Sequence, residues 1–141
     1  MNTEHFLLDT AYVLALVNAR DQFHSSALAL FQRVRAASAV WVTEGVPTEV
    51  GNALARSQRA EGAAFIERCY TTPNMRIVSV DTALFRRAVD LYRQRGDKTW
   101  GLTDCISFVV MREHGLLDAL TTDEHFQQAG FRALLREGTT G

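Results

Sequence analysis

A layered α/β fold, with a central parallel sheet of four to five strands and helices on both faces, is the class this sequence predicts. Short apolar runs recur along the chain, longer segments with helical periodicity separate them, and no repeat, low-complexity tract or Gly/Ser linker interrupts the alternation. Strands joined through helices require right-handed crossovers, which place helices on both sides of a parallel sheet. The 141 residues, 47% hydrophobic and 22% charged, suffice for one core without disulfide staples. A single domain over residues 1–136 is expected, followed by a polar tail at 137–141.

The first strand is read at Phe6 to Leu8, ending against Asp9. From Gln22 to Ala37 the residues Ala27, Leu30, Phe31 and Val34 fall on one helix face, with Arg33 and Arg35 directed elsewhere. Val40 to Val42 is the second strand. In the helix that follows, Val46, Val50, Ala53 and Leu54 make a short apolar stripe with Glu49 at its edge, and Pro47 sits in the tolerant first turn. Arg76 to Val80 is the third strand. Asp81 is a good N-cap for a helix that shows Leu84, Ala88, Leu91 and Tyr92 on one face and stops at Gly96. Between Asp104 and His114, Cys105, Ile106, Phe108, Val109, Val110 and Met111 cover nearly the whole circumference, so this helix must be buried. Thr103 is expected to cap it and Gly115 to end it. Leu116 to Thr121 is the fourth strand, and Phe131 to Leu135 a weaker fifth.

Charge and motifs narrow the function. Fifteen basic against sixteen acidic residues leave a net charge of -1, so binding to nucleic acid or anionic lipid must be local. The apolar runs Tyr12 to Val17 and Cys105 to Met111 are far shorter than the roughly 18 residues that span a bilayer. Cys69 and Cys105 show no paired spacing and read as buried thiols of a reducing compartment, and a cytoplasmic location is expected. Neither G-x-G-x-x-G, G-x-x-x-x-G-K-[ST] nor G-x-S-x-G occurs, and His5, His24, His114 and His125 lack zinc-site spacing. An aspartyl nucleophile at Asp9 finds no D-x-D pair and no sheet-end lysine, since Lys98 lies in a loop.

An open parallel sheet binds ligands beyond the carboxyl ends of its strands, where strand order reverses. Asp9 follows the first strand and Asp123 the fourth, Asp104 opens the buried helix, and Glu49 lies in the helix after the second strand. Taken singly, each has an ordinary reading, as an N-cap for the aspartates and as solvent-facing charge for Glu49. Together they conflict, because two carboxylates ~4 Å apart repel by about 4 kcal/mol at an effective dielectric of 20. Hard oxygen ligands of this kind match Mg²⁺ or Mn²⁺, and such ions support phosphodiester hydrolysis by activated water.

The strings Phe6-Leu7-Leu8-Asp9-Thr10, Thr48-Glu49-Val50-Gly51-Asn52-Ala53-Leu54, Trp100-Gly101-Leu102-Thr103-Asp104-Cys105-Ile106-Ser107-Phe108 and Thr121-Thr122-Asp123-Glu124-His125-Phe126 together resemble the PIN-domain ribonucleases, and most closely the VapC-type toxins of toxin-antitoxin pairs. The resemblance covers essentially the whole chain. It departs at Ala11, where a small polar residue is common, and at Gly101, where Ser is common. It implies a three-layer PIN-like fold in which Asp9, Glu49, Asp104 and Asp123 are the catalytic, metal-binding set for Mg²⁺ or Mn²⁺, with Thr10 or Thr121 orienting a carboxylate or water. It further implies an endoribonuclease acting on a transfer or ribosomal RNA, a small cognate antitoxin and a homodimer. A housekeeping RNA-processing nuclease of the same fold, or a non-catalytic binding module, is the alternative.

Several residues keep two readings at this level. Asp97 is a turn residue after Gly96 or a peripheral fifth acid, and Trp100 closes a core edge or stacks on a base. Arg56, Arg59, Arg86 and Arg93 form solvated faces or track phosphates. A metal-activated water makes a general base unnecessary at His24 or His125.

Overall fold

The computed structural model describes residues 2–137, so the polar tail beyond Glu137 lies outside the described residues. The elements run β1 (His5–Leu8), α1 (Thr10–Val17), α2 (His24–Ala36), β2 (Ala39–Thr43), α3 (Gly45–Leu54), α4 (Arg59–Thr71) and β3 (Met75–Val78). There follow α5 (Thr82–Gln94), α6 (Leu102–Glu113), β4 (Asp118–Leu120), α7 (Glu124–Gln128), β5 (Arg132–Ala133) and α8 (Leu134–Glu137). All five strands are parallel in the order β3-β2-β1-β4-β5. The chain builds outward from β1 to β3 and then crosses back to β4, so the strand order reverses between β1 and β4. Such a reversal, at the carboxyl ends, is where an open parallel sheet takes its ligands. Leu7 pairs with Ala119 and Leu8 with Leu120, and the Asp9 amide donates to the Leu120 carbonyl at 3.2 Å, which binds the two strand ends together at the reversal.

Alternation along β1 sorts the core into two layers. Phe6 and Leu8 face α1, α2 and α3 with Tyr12, Val13, Val40, Val42, Val46 and Val50. Leu7 faces the opposite way, toward Leu84, Leu91, Ile106, Phe108, Met111 and Phe126. Both faces of the sheet are covered, which is why its strands read as continuous apolar runs. The helix at 104–114 is as buried as its composition demands, since Cys105, Ile106, Phe108, Val110 and Met111 all belong to the second layer.

Several boundaries move for local reasons. Helix α6 begins at Leu102 with Gly101 as N-cap, so Thr103 is inside it; Asp104 reaches back to accept the Gly101 amide at 3.2 Å and fixes the earlier start. Gly115 ends that helix at φ +62°, a conformation that costs glycine little. The third strand stops at Val78, because the Ser79 hydroxyl and the Val80 amide turn to Glu44 Oε1 at 3.1 and 3.4 Å. The fifth strand is only Arg132–Ala133, and the chain coils into α8, where Leu134 and Leu135 are both buried and the Leu135 amide donates to the Thr121 carbonyl at 3.2 Å. Tyr92 is half exposed, outside the buried face of α5. Phe31, 39% exposed, rims an apolar groove of about 470 Å³ shared with Tyr12, Leu16, Phe65 and Met75. Cys69 and Cys105 are free and buried. No helix among the described residues is long and apolar enough to cross a membrane.

Asp81 caps α5 as expected, its Oδ1 accepting the Leu84 amide at 2.8 Å. Replacing Asp81 by Ala should therefore cost about 1 kcal/mol in urea denaturation, with little change in the denaturant slope.

Candidate metal centre

Asp9 stands at the N-cap position of α1, yet its side chain makes no capping hydrogen bond. Its Oδ2 instead accepts the Thr121 hydroxyl at 2.7 Å, across the reversal from the end of β4. Among the described residues four polar side chains are buried, Asp9, Thr43, Ser107 and Thr121, and two of these four bond to each other. A buried carboxylate without a cationic partner resists ionisation. Burial pushes the Asp9 carboxyl up to about 7; the Thr121 hydrogen bond opposes that rise, and the nearby charges of Asp104 and Asp123 add to it.

Thr121 also ties Asp123 into the same constellation, its Oγ1 accepting the Asp123 amide at 3.0 Å. Asp123 does cap its helix, with Oδ1 taking the His125 amide at 2.8 Å. Asp104 Oδ2 accepts both the Gly101 amide and a hydrogen bond from His125 Nδ1 at 3.1 Å. Burial raises the Asp104 carboxyl above its ordinary value, against the His125 hydrogen bond and with the help of the Asp123 charge. Ligand atoms of Asp104, Asp123 and His125 lie within 4.8 Å of one another.

Glu49 stands further out. It is exposed on α3, and its Oε1 accepts the hydroxyl of Thr10, the residue after Asp9, at 2.8 Å. Asp9, Asp104 and Asp123 thus feel one another electrostatically, while Glu49 joins them through the Asp9-Thr10 step. Asp97 takes the turn reading: it is exposed and holds Arg95 through both oxygens at 2.9 and 3.0 Å. Trp100 is buried, its indole N–H donating to Gln128 Oε1 at 2.9 Å and its ring edge-on to Phe108, which is the core-edge reading. Arg56, Arg59, Arg86 and Arg93 are all exposed, with Arg93 paired to Asp90. His24 bonds to the Ala15 carbonyl and serves the α1–α2 junction.

His125 is the residue that sequence reasoning undervalued. Its signal was the spacing Asp123-Glu124-His125: an aspartate capping a helix takes the amide two residues on, and that residue's ring starts beside the carboxylate. Nδ1 lies 3.3 Å from Asp123 Oδ1 as well as 3.1 Å from Asp104.

The donor set fits a hard divalent cation. Three carboxylates, Asp9 buried, Asp104 largely so and Asp123 partly exposed, lie close enough to raise one another's charge cost, no lysine or arginine ion pair neutralises them among the described residues, and oxygen ligands are what Mg²⁺ and Mn²⁺ require. Asp104 engages Oδ2 and Asp123 engages Oδ1 with protein donors, so each has a second oxygen outside these bonds.

Comparison with known proteins agrees with this architecture. The PIN domain family matches residues 6–132. Among solved structures, VapC20 of Mycobacterium tuberculosis, described as a sarcin-ricin loop cleaving toxin, is 25% identical with a TM-score of 0.81, covering 90% of this chain and 96% of its own. FitAcB from Neisseria gonorrhoeae, 18% identical with a TM-score of 0.61, covers 91% of this chain and 94% of its own and shares the fold. No curated protein matches by sequence.

Proposed function

The chain belongs to the PIN domain family, and from that premise we propose that it is a Mg²⁺- or Mn²⁺-dependent endoribonuclease, the toxin of a toxin-antitoxin pair. The observation that carries this reading is the buried Asp9 carboxylate, which makes no capping hydrogen bond and lies within electrostatic reach of Asp104 and Asp123. The likeness to VapC20 supports the toxin assignment and makes the sarcin-ricin loop the first substrate to try. A transfer RNA is the second.

Asp9, Asp104, Asp123 and Glu49 would hold the cation. When bound, it supplies the Lewis acidity that acidifies water and stabilises charge on the phosphodiester. The protein's own part is to hold the acids still. Thr121 bridges Asp9 to the Asp123 backbone, and Thr10 restrains Glu49. Cleavage then leaves a 5′-phosphate. A small antitoxin, a homodimer and a cytoplasmic location complete the proposal.

Purified protein is to be incubated with an RNA carrying the sarcin-ricin loop, and with several other structured RNAs, in Mn²⁺ or Mg²⁺, with and without EDTA. An Asp9→Asn variant runs beside it. Cleavage confined to the parent with metal is expected. Equal RNA loss in every tube means contamination, and intact RNA throughout favours a non-catalytic docking module. Co-expression with the adjacent small gene product should give a stable complex, and that complex should show reduced nuclease activity; active protein that forms no complex is instead a housekeeping RNA-processing nuclease of the same fold.

A further inference from the structure

The loop between α5 and α6 is fastened to α7 at two points. Trp100 Nε1 donates to Gln128 Oε1 at 2.9 Å, and Thr99 Oγ1 lies 3.2 Å from His125 Nε2. Arg95 braces the loop from outside, pairing with Asp97 and lying over the Trp100 ring at 4.9 Å from its centroid. On the far side of the imidazole, Nδ1 faces Asp104 Oδ2 at 3.1 Å and Asp123 Oδ1 at 3.3 Å.

Hydrogen-bond polarity orders this chain of contacts. A carboxylate oxygen only accepts, so Nδ1 must carry hydrogen; in the neutral ring Nε2 is then an acceptor, and the Thr99 hydroxyl is the donor. The carboxylates therefore select the tautomer, and Thr99 donates to the ring from the side away from the acids and restrains its plane. The ring in turn fixes one oxygen of Asp104 and lies against one of Asp123, leaving the opposite oxygens oriented.

We propose that Thr99 and His125 are a positioning pair for the acidic centre, so that its affinity for a divalent cation depends on the hydroxyl of Thr99, a residue hydrogen-bonded to none of the acids. The proposal rests on the reading of those acids as a cation site. Partners that orient metal ligands typically change metal affinity 10–100-fold when removed. A ring that donates N–H to carboxylates, rather than bonding the ion, affects all hard divalent ions alike.

The test is Mn²⁺ and Mg²⁺ binding by calorimetry to the parent, Thr99→Val, Thr99→Ser, His125→Ala and the Thr99→Val/His125→Ala double variant, with melting curves confirming that each is folded. Thr99→Val is expected to bind both ions about 10-fold more weakly. Thr99→Ser should restore binding, and the double variant should bind no more weakly than His125→Ala. Parent-like binding by Thr99→Val overturns the proposal, as do losses that multiply in the double variant. So does a His125→Ala loss much larger for Mn²⁺ than for Mg²⁺, which would make the ring nitrogen itself a ligand. A parent that binds neither ion refutes the cation site and this pair with it; a parent that binds beside an unimpaired Thr99→Val refutes the pair alone. Should Thr99→Val fail to fold, ¹⁵N–¹H correlation of the parent's His125 ring decides: hydrogen on Nδ1 supports the pair, and a neutral ring with hydrogen on Nε2 overturns it.

Discussion

RNA cleavage by an Asp104→Asn variant is expected to fall at least about 100-fold in saturating Mn²⁺, in a protein that melts no lower than its parent. The two halves of this expectation separate chemistry from structure. Asparagine keeps an oxygen that can accept from the Gly101 amide and from His125 Nδ1, so the start of α6 and its contact with α7 survive the change. What is lost is a negative charge in a place where burial and the neighbouring Asp123 already oppose it. Removing that charge relieves the metal-free fold and, on the proposed assignment, deprives a divalent cation of a ligand. Cleavage assays and thermal melts on the same preparation check both. A variant of full activity would falsify the assignment of Asp104 to the cation, and an inactive variant with a sharply lowered melting temperature would assign it to helix capping.

Asp9 should make the metal-free protein less stable as pH rises from about 4 to about 7. The unfolded chain releases the Asp9 proton near the ordinary value of 3.8, whereas the native state keeps it to about 7. Between those values the native state binds more protons than the unfolded one, so stability declines with pH across the window and levels off above it. At 1.36 kcal/mol per pKa unit the full span is about 4 kcal/mol, a large share of the stability of a small domain. Asp104, shifted in the same direction, adds to the decline. Urea denaturation in EDTA at intervals from pH 4 to 8 measures it, with Asp9→Asn as comparator. The substituted amide offers Thr121 an acceptor oxygen but no charge, so the two proteins should match near pH 4 and the variant should be the more stable at pH 8. Parallel curves would remove Asp9 as the source.

Much of the fold was legible because burial writes itself into composition. Phe6-Leu7-Leu8, Val40 to Val42 and the apolar circumference of α6 could only be core, and Asp81 and Gly115 mark helix boundaries by chemistry that acts within one turn. The boundaries that moved depend on distant partners. Val80 leaves the sheet for Glu44, 36 residues away in sequence, and the strand expected at Phe131 to Leu135 yields to α8, where the Leu135 amide finds the Thr121 carbonyl. Phe31 and Tyr92 satisfied a periodicity that does not say how wide the covered face is.

The sequence by itself determined the layered class and the four acids proposed for the centre, since an Asp after a strand and an Asp opening a buried helix are local facts. Only the tertiary structure decided what each acid does. It turned Asp9 from a cap into the partner of Thr121, 112 positions along the chain, set Asp97 aside with Arg95, and brought His125 against two carboxylates. The reason is that a carboxylate's chemistry is governed by desolvation and by charges within a few ångströms, and in a parallel sheet those neighbours arrive from strands far apart in sequence.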